Sequence, residues 1–316
     1  MIPAQTPVQR LGLGLAALGR PAYINVGRSD VLPQQRTAQA MRERTRGVLD
    51  AAYANGIRWV DTARSYGSAE QFLAEWLRER GHGDVSVSSK WGYAYVAQWR
   101  IETEVHEVKE HSLERLRTQW AETRTLLGDR LDLYQVHSLT ANSPLFDDMA
   151  LQHELARIRD SGVHLGFSTS GAAQAATIER AWEIEVGGRQ LFSAVQSTWN
   201  SMEPSAGPAL AEAHTGGWRV LVKETLANGR LAVDPPPELA EVAERHGVSP
   251  DAVAIAHVLR QPWADVVLLG PASVEQLETN LAACHVELTD RDIHALDTLH
   301  RDAATYWGER AELPWH

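Results

Sequence analysis

Short apolar runs alternate with longer amphipathic stretches along nearly the whole chain. The runs fall at residues 11–15, 58–61, 85–89, 131–136, 164–168, 194–197, 219–222 and 266–269. A strand covered on both faces loses its in–out alternation and reads as a continuous apolar segment. The stretches at 41–55, 70–80, 103–127, 149–160, 173–186, 208–214, 252–259 and 273–283 place apolar residues with a helical period. Eight strand–helix units in order predict an α/β protein of the (β/α)8 TIM-barrel class, since a doubly wound sheet usually has fewer. Asn55-Gly56 closes the first helix, and Ser249-Pro250 opens a later one with a cap followed by proline. Asp234 and the Pro235-Pro236-Pro237 run halt the chain before it. With no linker or low-complexity tract, residues 1–316 are expected to form a single barrel domain. Two irregular stretches are expected, a loop at 20–39 and a tail from about 301 that carries Trp307 and Trp315.

Composition narrows the class of function. Hydrophobic residues make up 44% and charged residues 22%, ordinary for a soluble globular protein. The formal net charge is −11 and no Lys/Arg block appears, which disfavours nucleic-acid and anionic-membrane partners. The opening MIPAQTPVQR lacks the apolar core of a secretory signal, and no apolar run approaches the roughly 20 residues of a membrane span. Cys284 is the only cysteine, so there is no intramolecular disulfide framework. A cytoplasmic enzyme acting on a small molecule is expected.

Four ionisable residues sit at the ends of three successive apolar runs. They are Asp61 and Tyr66 in GIRWVDTARSYG, Lys90 in VSVSSKWG, and His137 in LDLYQVHS. Taken singly, each has a bland reading: a turn-capping aspartate, a packed tyrosine, a core histidine. Lys90 changes the balance, because a lysine carried by a central strand must be paired if it is buried. In a parallel barrel all C-terminal strand ends open on one face, so the four are expected to meet there.

The segments DTARSYG, SSKWG, DLYQVHS, GFSTSG, AVQSTWN and LLGPASVEQLETN, in this order, resemble the aldo-keto reductase family over nearly the whole chain. The resemblance implies a nicotinamide cofactor across the C-terminal mouth of a (β/α)8 barrel. It implies Tyr66 as general acid/base, Lys90 and Asp61 as its supporting pair, and His137 as the group that orients a carbonyl. Ser168, Thr169 and Gln196 fall where the family binds the nicotinamide carboxamide; Thr169 stands where many members have asparagine. Lys223 replaces a tyrosine that stacks on the nicotinamide ring in many members, a task for which Trp199 is a candidate. Gly270, Ser273, Gln276 and Asn280 align with the pyrophosphate and adenosine site. Ala272 stands where many relatives carry a basic residue for a 2′-phosphate, and Thr279 replaces a commonly acidic position. NADP(H) is expected ahead of NAD(H) on family prevalence alone. A free phenol titrates near ~10, and the Lys90 ammonium is expected to lower Tyr66 from there. Trp91, Tyr93 and Tyr95, with Trp199 and Trp307, are candidate walls for an apolar or sugar-like carbonyl or alcohol substrate.

Two other signals lead elsewhere. LGLGLAALG places its third glycine, Gly19, off the G-x-G-x-x-G spacing and reads as the first strand and its loop. The 13 histidines are scattered without ligand spacing, and His106 and His111 fall on different faces of a helix, so no metal site is expected. Two rival functions share the fold. One is a cofactor-binding regulatory subunit; the other is a lyase or aldolase using Lys90 as a Schiff-base nucleophile.

Overall fold

The computed structural model describes residues 5–315. Eight parallel strands close into a barrel in sequence order: β1 (Leu11–Gly14), β2 (Trp59–Asp61), β3 (Ser86–Trp91), β4 (Leu133–Leu139), β5 (His164–Thr169), β6 (Ala194–Thr198), β7 (Arg219–Lys223) and β8 (Val266–Leu269). The helices that cover it are α1 (Ala38–Ala54), α2 (Ala69–Arg80), α3 (Leu113–Leu127), α4 (Met149–Asp160), α5 (Gln174–Trp182), α6 (Gly207–Thr215), α7 (Pro237–His246), α8 (Pro250–Leu259), α9 (Val274–Leu281), α10 (Asp290–Asp297) and α11 (Ala303–Ala311). Each of the eight expected strands is present within two or three residues of its expected bounds. No helix among the described residues is long and apolar enough to cross a membrane.

Strand alternation sorts the barrel interior into two layers. Trp59, Leu133, Ala194, Leu221, Val266 and Leu268 fill the lower interior as one buried apolar cluster. β1 contributes Gly12 at this level, because a Cβ there would lie 2.9 Å from both Leu268 and Val266 side chains. Above the plug, towards the C-terminal ends, the inward positions turn polar: Asp61, Ser88, Lys90, Gln135 and Gln196 are all buried. Lys90 pairs in register with Gln135, and Asp61 with Ser88. The outward positions, such as Val87, Tyr134, Val136 and Phe167, join the larger core beneath the helices.

Five expectations are corrected. The helix expected over 103–127 begins only at Leu113, where Ser112 Oγ accepts a bond from Arg115 N at 3.1 Å. Upstream, Glu107–Lys109 pairs antiparallel with Tyr93–Tyr95, so His106 lies beside a hairpin and not on a helix. The 173–186 stretch ends as a helix at Trp182; Glu185–Val186 then turns back on Arg189–Gln190 through Gly187 and Gly188, both at positive φ. That Gly-Gly turn matches the twist of a two-residue hairpin. The proline run does not merely halt the chain: Pro237 is the first residue of α7, where its missing N–H costs nothing. The tail is not irregular throughout, since Asp302 caps α11 by accepting from Thr305 N at 3.1 Å. The 20–39 loop holds one helical turn, Arg28–Val31, and is pinned by Arg28 Nε donating to Ala17 O at 2.7 Å.

Two consequences for stability follow. A Cβ on Gly19 would lie 2.2 Å from Tyr66 O and 2.4 Å from Ala69 Cβ. Gly19→Ala is expected to cost about 1–3 kcal/mol, read as a lower urea midpoint at unchanged slope. His111, bonded to Ser143 Oγ and His137 O, and His257, bonded to Ser201 Oγ, are both pushed down to about 4 by burial. A histidine depressed in the fold contributes stability that is complete above its unfolded value near ~6.5 and is lost as pH falls towards its folded value. Each therefore removes up to about 1.4 kcal/mol per pH unit in that window. His257→Asn should flatten the fall in urea midpoint between pH 6.5 and 4 by about one proton's worth.

Candidate active site

The inward polar layer ends in a buried ion pair. Lys90 Nζ contacts the Asp61 carboxylate and donates to Thr62 O at 3.0 Å; both side chains are almost fully buried. Asp61 Oδ1 accepts three further bonds, from Ser88 Oγ at 2.7 Å and from Gln135 and Gln196 Nε2 at 3.1 Å each. Four strands thus hold the carboxylate in place. Tyr66 follows β2 by a turn and hangs above the pair, its hydroxyl 3.5 Å from Lys90 Nζ. The His137 ring stands edge-on to Tyr66, centroids 5.5 Å apart, with Nδ1 at 3.4 Å from Ser65 Oγ. β4 breaks register just after Val136, and Ser138 takes a φ of 54°. Ser138 N donates to Ser168 Oγ at 2.8 Å, so Ser168 holds the irregularity that turns His137 towards Tyr66. The four sequence-selected residues therefore meet.

Their electrostatics differ from the expectation in one respect. Burial first, then the Asp61 charge, raises the Tyr66 phenol well above its ordinary range, while Arg20 opposes. The expected lowering by Lys90 is not seen because burial outweighs it and Asp61 offsets the ammonium it contacts. Tyr66 thus keeps its proton at neutral pH. Burial, then Lys90 and Arg20, hold His137 well below the usual imidazole range. It is neutral, with one N–H to give and no net charge.

A cavity opens above these groups and runs along the strand ends. Gly14, Asp61, Tyr66, His137, Ser168 and Gln196 line its inner end, and Gly270, Gln276 and Asn280 its far end. Lys223 also lines it, donating to Thr198 Oγ1 at 3.0 Å, and is lowered to about 8, chiefly by burial. Thr169 does not line it: its hydroxyl faces the barrel wall, 2.7 Å from Ser197 Oγ and 3.0 Å from Gln174 Oε1. Ser273 is occupied as the cap of α9, accepting from Gln276 N at 3.1 Å.

The proposed aromatic walls are largely elsewhere. Trp91 alternates outward from Lys90 and is fully buried against His111. Trp199 is buried, edge-on to His257 and Trp263, and is not part of the cavity lining. Tyr93 lies 4.9 Å from the His137 ring but lines a separate surface cleft with His106 and Trp315. Tyr95 accepts from Trp99 N, and Trp307 lies over Lys223 Nζ at 5.7 Å.

Sequence reading missed several cavity residues. Asn25, Arg28, Asn228, Asp251, Glu224 and Arg310 all line it. Asn228-Gly229 carried a readable turn signal, and both residues have positive φ. Arg310 carried none; it reaches the mouth only because α11 folds across it, with Nε 3.0 Å from each Glu224 carboxylate oxygen. That bidentate pair and Lys223 hold Glu224 ionised, lowered to about 2.

The chain is similar to known proteins over most of its length. Among curated relatives, aldo-keto reductase str7 of Strobilurus tenacellus is 24% identical, covering 98% of this chain and 92% of that one. Norsolorinic acid reductase stcV of Emericella nidulans is 26% identical over 81% of this chain and 72% of its own. The solved holo form of aldo-keto reductase AKR11C1 from Bacillus halodurans shares the fold, with a TM-score of 0.67, 20% identity and 93% of each chain covered. The sequence model described as the Aldo/keto reductase family matches residues 10–301, and the chain belongs to that family, whose relatives here are oxidoreductases.

Proposed function

We propose that the protein interconverts an aldehyde or ketone and the corresponding alcohol with a nicotinamide dinucleotide, using Tyr66 as the proton donor. One observation carries this reading. A protonated, buried phenol stands 3.5 Å above an ion-paired ammonium and edge-on to a neutral imidazole, at the inner end of a long cavity. A carbonyl oxygen between Tyr66 and His137 would meet two donors where negative charge develops on reduction. Tyr66 holds its proton at neutral pH, the form from which it would donate to that oxygen. The bound dinucleotide would supply the hydride. Lys90 suits a support better than a Schiff-base nucleophile, which must be neutral and open to substrate; Lys90 is 1% exposed and held against Asp61.

The cavity's donor set fits a dinucleotide. Arg28, Lys223 and Arg310 offer positive charge for phosphates; Asn25, Gln196, Gln276 and Asn280 offer amides for the carboxamide, riboses and base. Gly270 leaves room beside it, since a Cβ there would meet only Asn25 Nδ2, at 3.9 Å. At the far end, Asp251 Oδ2 accepts from Asn280 Nδ2 at 2.6 Å and from Thr279 Oγ1 at 2.8 Å. A carboxylate in that lining suits a ribose hydroxyl and repels a doubly charged 2′-phosphate. This supports NAD(H) ahead of NADP(H), the reverse of the order family prevalence suggests. Besides Tyr66, Tyr23 is the aromatic ring in the lining, and none of the expected tryptophan walls contributes to it.

Tyr66→Phe should lower carbonyl turnover by about 10²-fold or more at unchanged thermal midpoint, and retained turnover would remove Tyr66 from the acid role. In fluorescence-quenching titrations NADH should bind about tenfold or more tightly than NADPH, and Asp251→Asn should narrow the gap. Tighter binding of NADPH by the wild-type protein would overturn the assignment at Asp251.

A further inference from the structure

We propose that Arg20 is a positioning residue for Tyr66, and that Arg20 and Glu107 together set how readily the phenol exchanges its proton. The proposal rests on the reading of Tyr66 as the acid/base. Arg20 is 1% exposed and lies directly after Gly19, whose carbonyl accepts from Ser68 N in the turn that carries Tyr66. Its Nη1 donates to Ser65 O at 3.1 Å, in that same turn. Its guanidinium carbon stands 5.1 Å over the Tyr66 ring, 4.7 Å over Tyr23 and 4.8 Å over Trp315. Cation–ring contacts of this kind hold the planes together when desolvated. Nη1 also pairs with Glu107 at 2.8 Å, reaching across from the Tyr93–Lys109 hairpin. Arg20 is outside the cavity lining, so it acts on the reaction through the lining residues it faces, Tyr66 first, with Tyr23 and His137.

The charges facing Tyr66 explain why Arg20 counts. Below the ring, Lys90 and Asp61 offset one another. To the side stands Arg20, with Glu107 behind it, and Glu224 acts from across the mouth. Arg20 favours the phenolate, whereas Glu107, Glu224 and Asp61 disfavour it. His137 feels Arg20, Lys90, Lys223 and His111, all of which favour its neutral form. Removing Arg20 and removing Glu107 must therefore move Tyr66 in opposite directions, although the two residues form a single contact.

The experiment is the pH dependence of alcohol oxidation with NAD⁺. It uses the member of a panel of primary and secondary alcohols that the wild-type protein oxidises fastest. In this direction Tyr66 must first lose its proton, so the rate climbs with pH. Arg20→Met should displace the climbing limb upward by about one pH unit, or about tenfold slower at fixed pH. Glu107→Gln should displace it downward and run faster at fixed pH, and Arg20→Lys should lie nearer wild type. A purely structural latch predicts that breaking it from either side slows both variants without moving the limb. Displacement of both in one direction, or of neither, overturns the proposal. Should Arg20→Met fail to fold, the sign of the Glu107→Gln shift decides. Tyr66→Phe separates the two readings. If it is inactive while the limbs stay still, only the role of Arg20 falls. If it keeps full turnover, or if wild type oxidises no alcohol, the acid/base reading falls and this proposal with it.

Discussion

A buried ammonium–carboxylate contact, Lys90 with Asp61, is the constraint to which the rest of the barrel answers. Two charges taken out of water are tolerated only if their remaining hydrogen-bonding capacity is met. Here Ser88, Gln135, Gln196 and the Thr62 carbonyl meet it, drawn from or adjoining β2, β3, β4 and β6. A one-residue slip of any of these strands would turn its donor into the outer core and strand the pair. The polar layer therefore specifies strand register as well as local charge. The apolar plug beneath it closes the barrel from below, so the pair faces only Tyr66 and the cavity.

The same logic reaches outward to the rim. Segments remote in sequence are tied to the mouth by ion pairs that are themselves largely buried. Arg310 from α11 grips Glu224 after β7, and Arg20 from the first loop grips Glu107 from the hairpin. Aromatic faces fill the space around them: Tyr23 meets Trp315 edge-on, and His106 stacks on Trp315. Desolvation by this cover strengthens every charge beneath it, which is why Tyr66 and His137 depart from their solution behaviour in opposite senses.

Legibility in the sequence followed the range of the interactions. The strands were readable because burial on both faces leaves uninterrupted apolar runs, and the convergence of Asp61, Tyr66, Lys90 and His137 follows from their places at strand ends. Trp91 was misread for a local reason: it follows Lys90 directly, and alternation sends neighbours to opposite faces. The hairpin at 93–109 was hidden because α3 continues the same stretch with a strong helical pattern, and the three-residue Glu107–Lys109 strand is too short to show an alternation of its own. Arg310, Arg20 and Asp251 could not be found by pattern at all. Their roles depend on which distant segment they meet, and no local spacing encodes that. The Tyr66 proton affinity was misjudged because burial was left out and the Lys90 charge was counted without its Asp61 partner.

The most direct test of the central claim is a double-mutant cycle on the ion pair, reading the rate of carbonyl reduction. Lys90→Met, Asp61→Asn and the double variant would be compared at one pH, with thermal unfolding as the control for folding. If the two residues act as one support beneath Tyr66, the double variant loses no more than the worse single variant, because removing either partner already disables the other. Losses that multiply across the cycle would show two independent contributions and contradict the account.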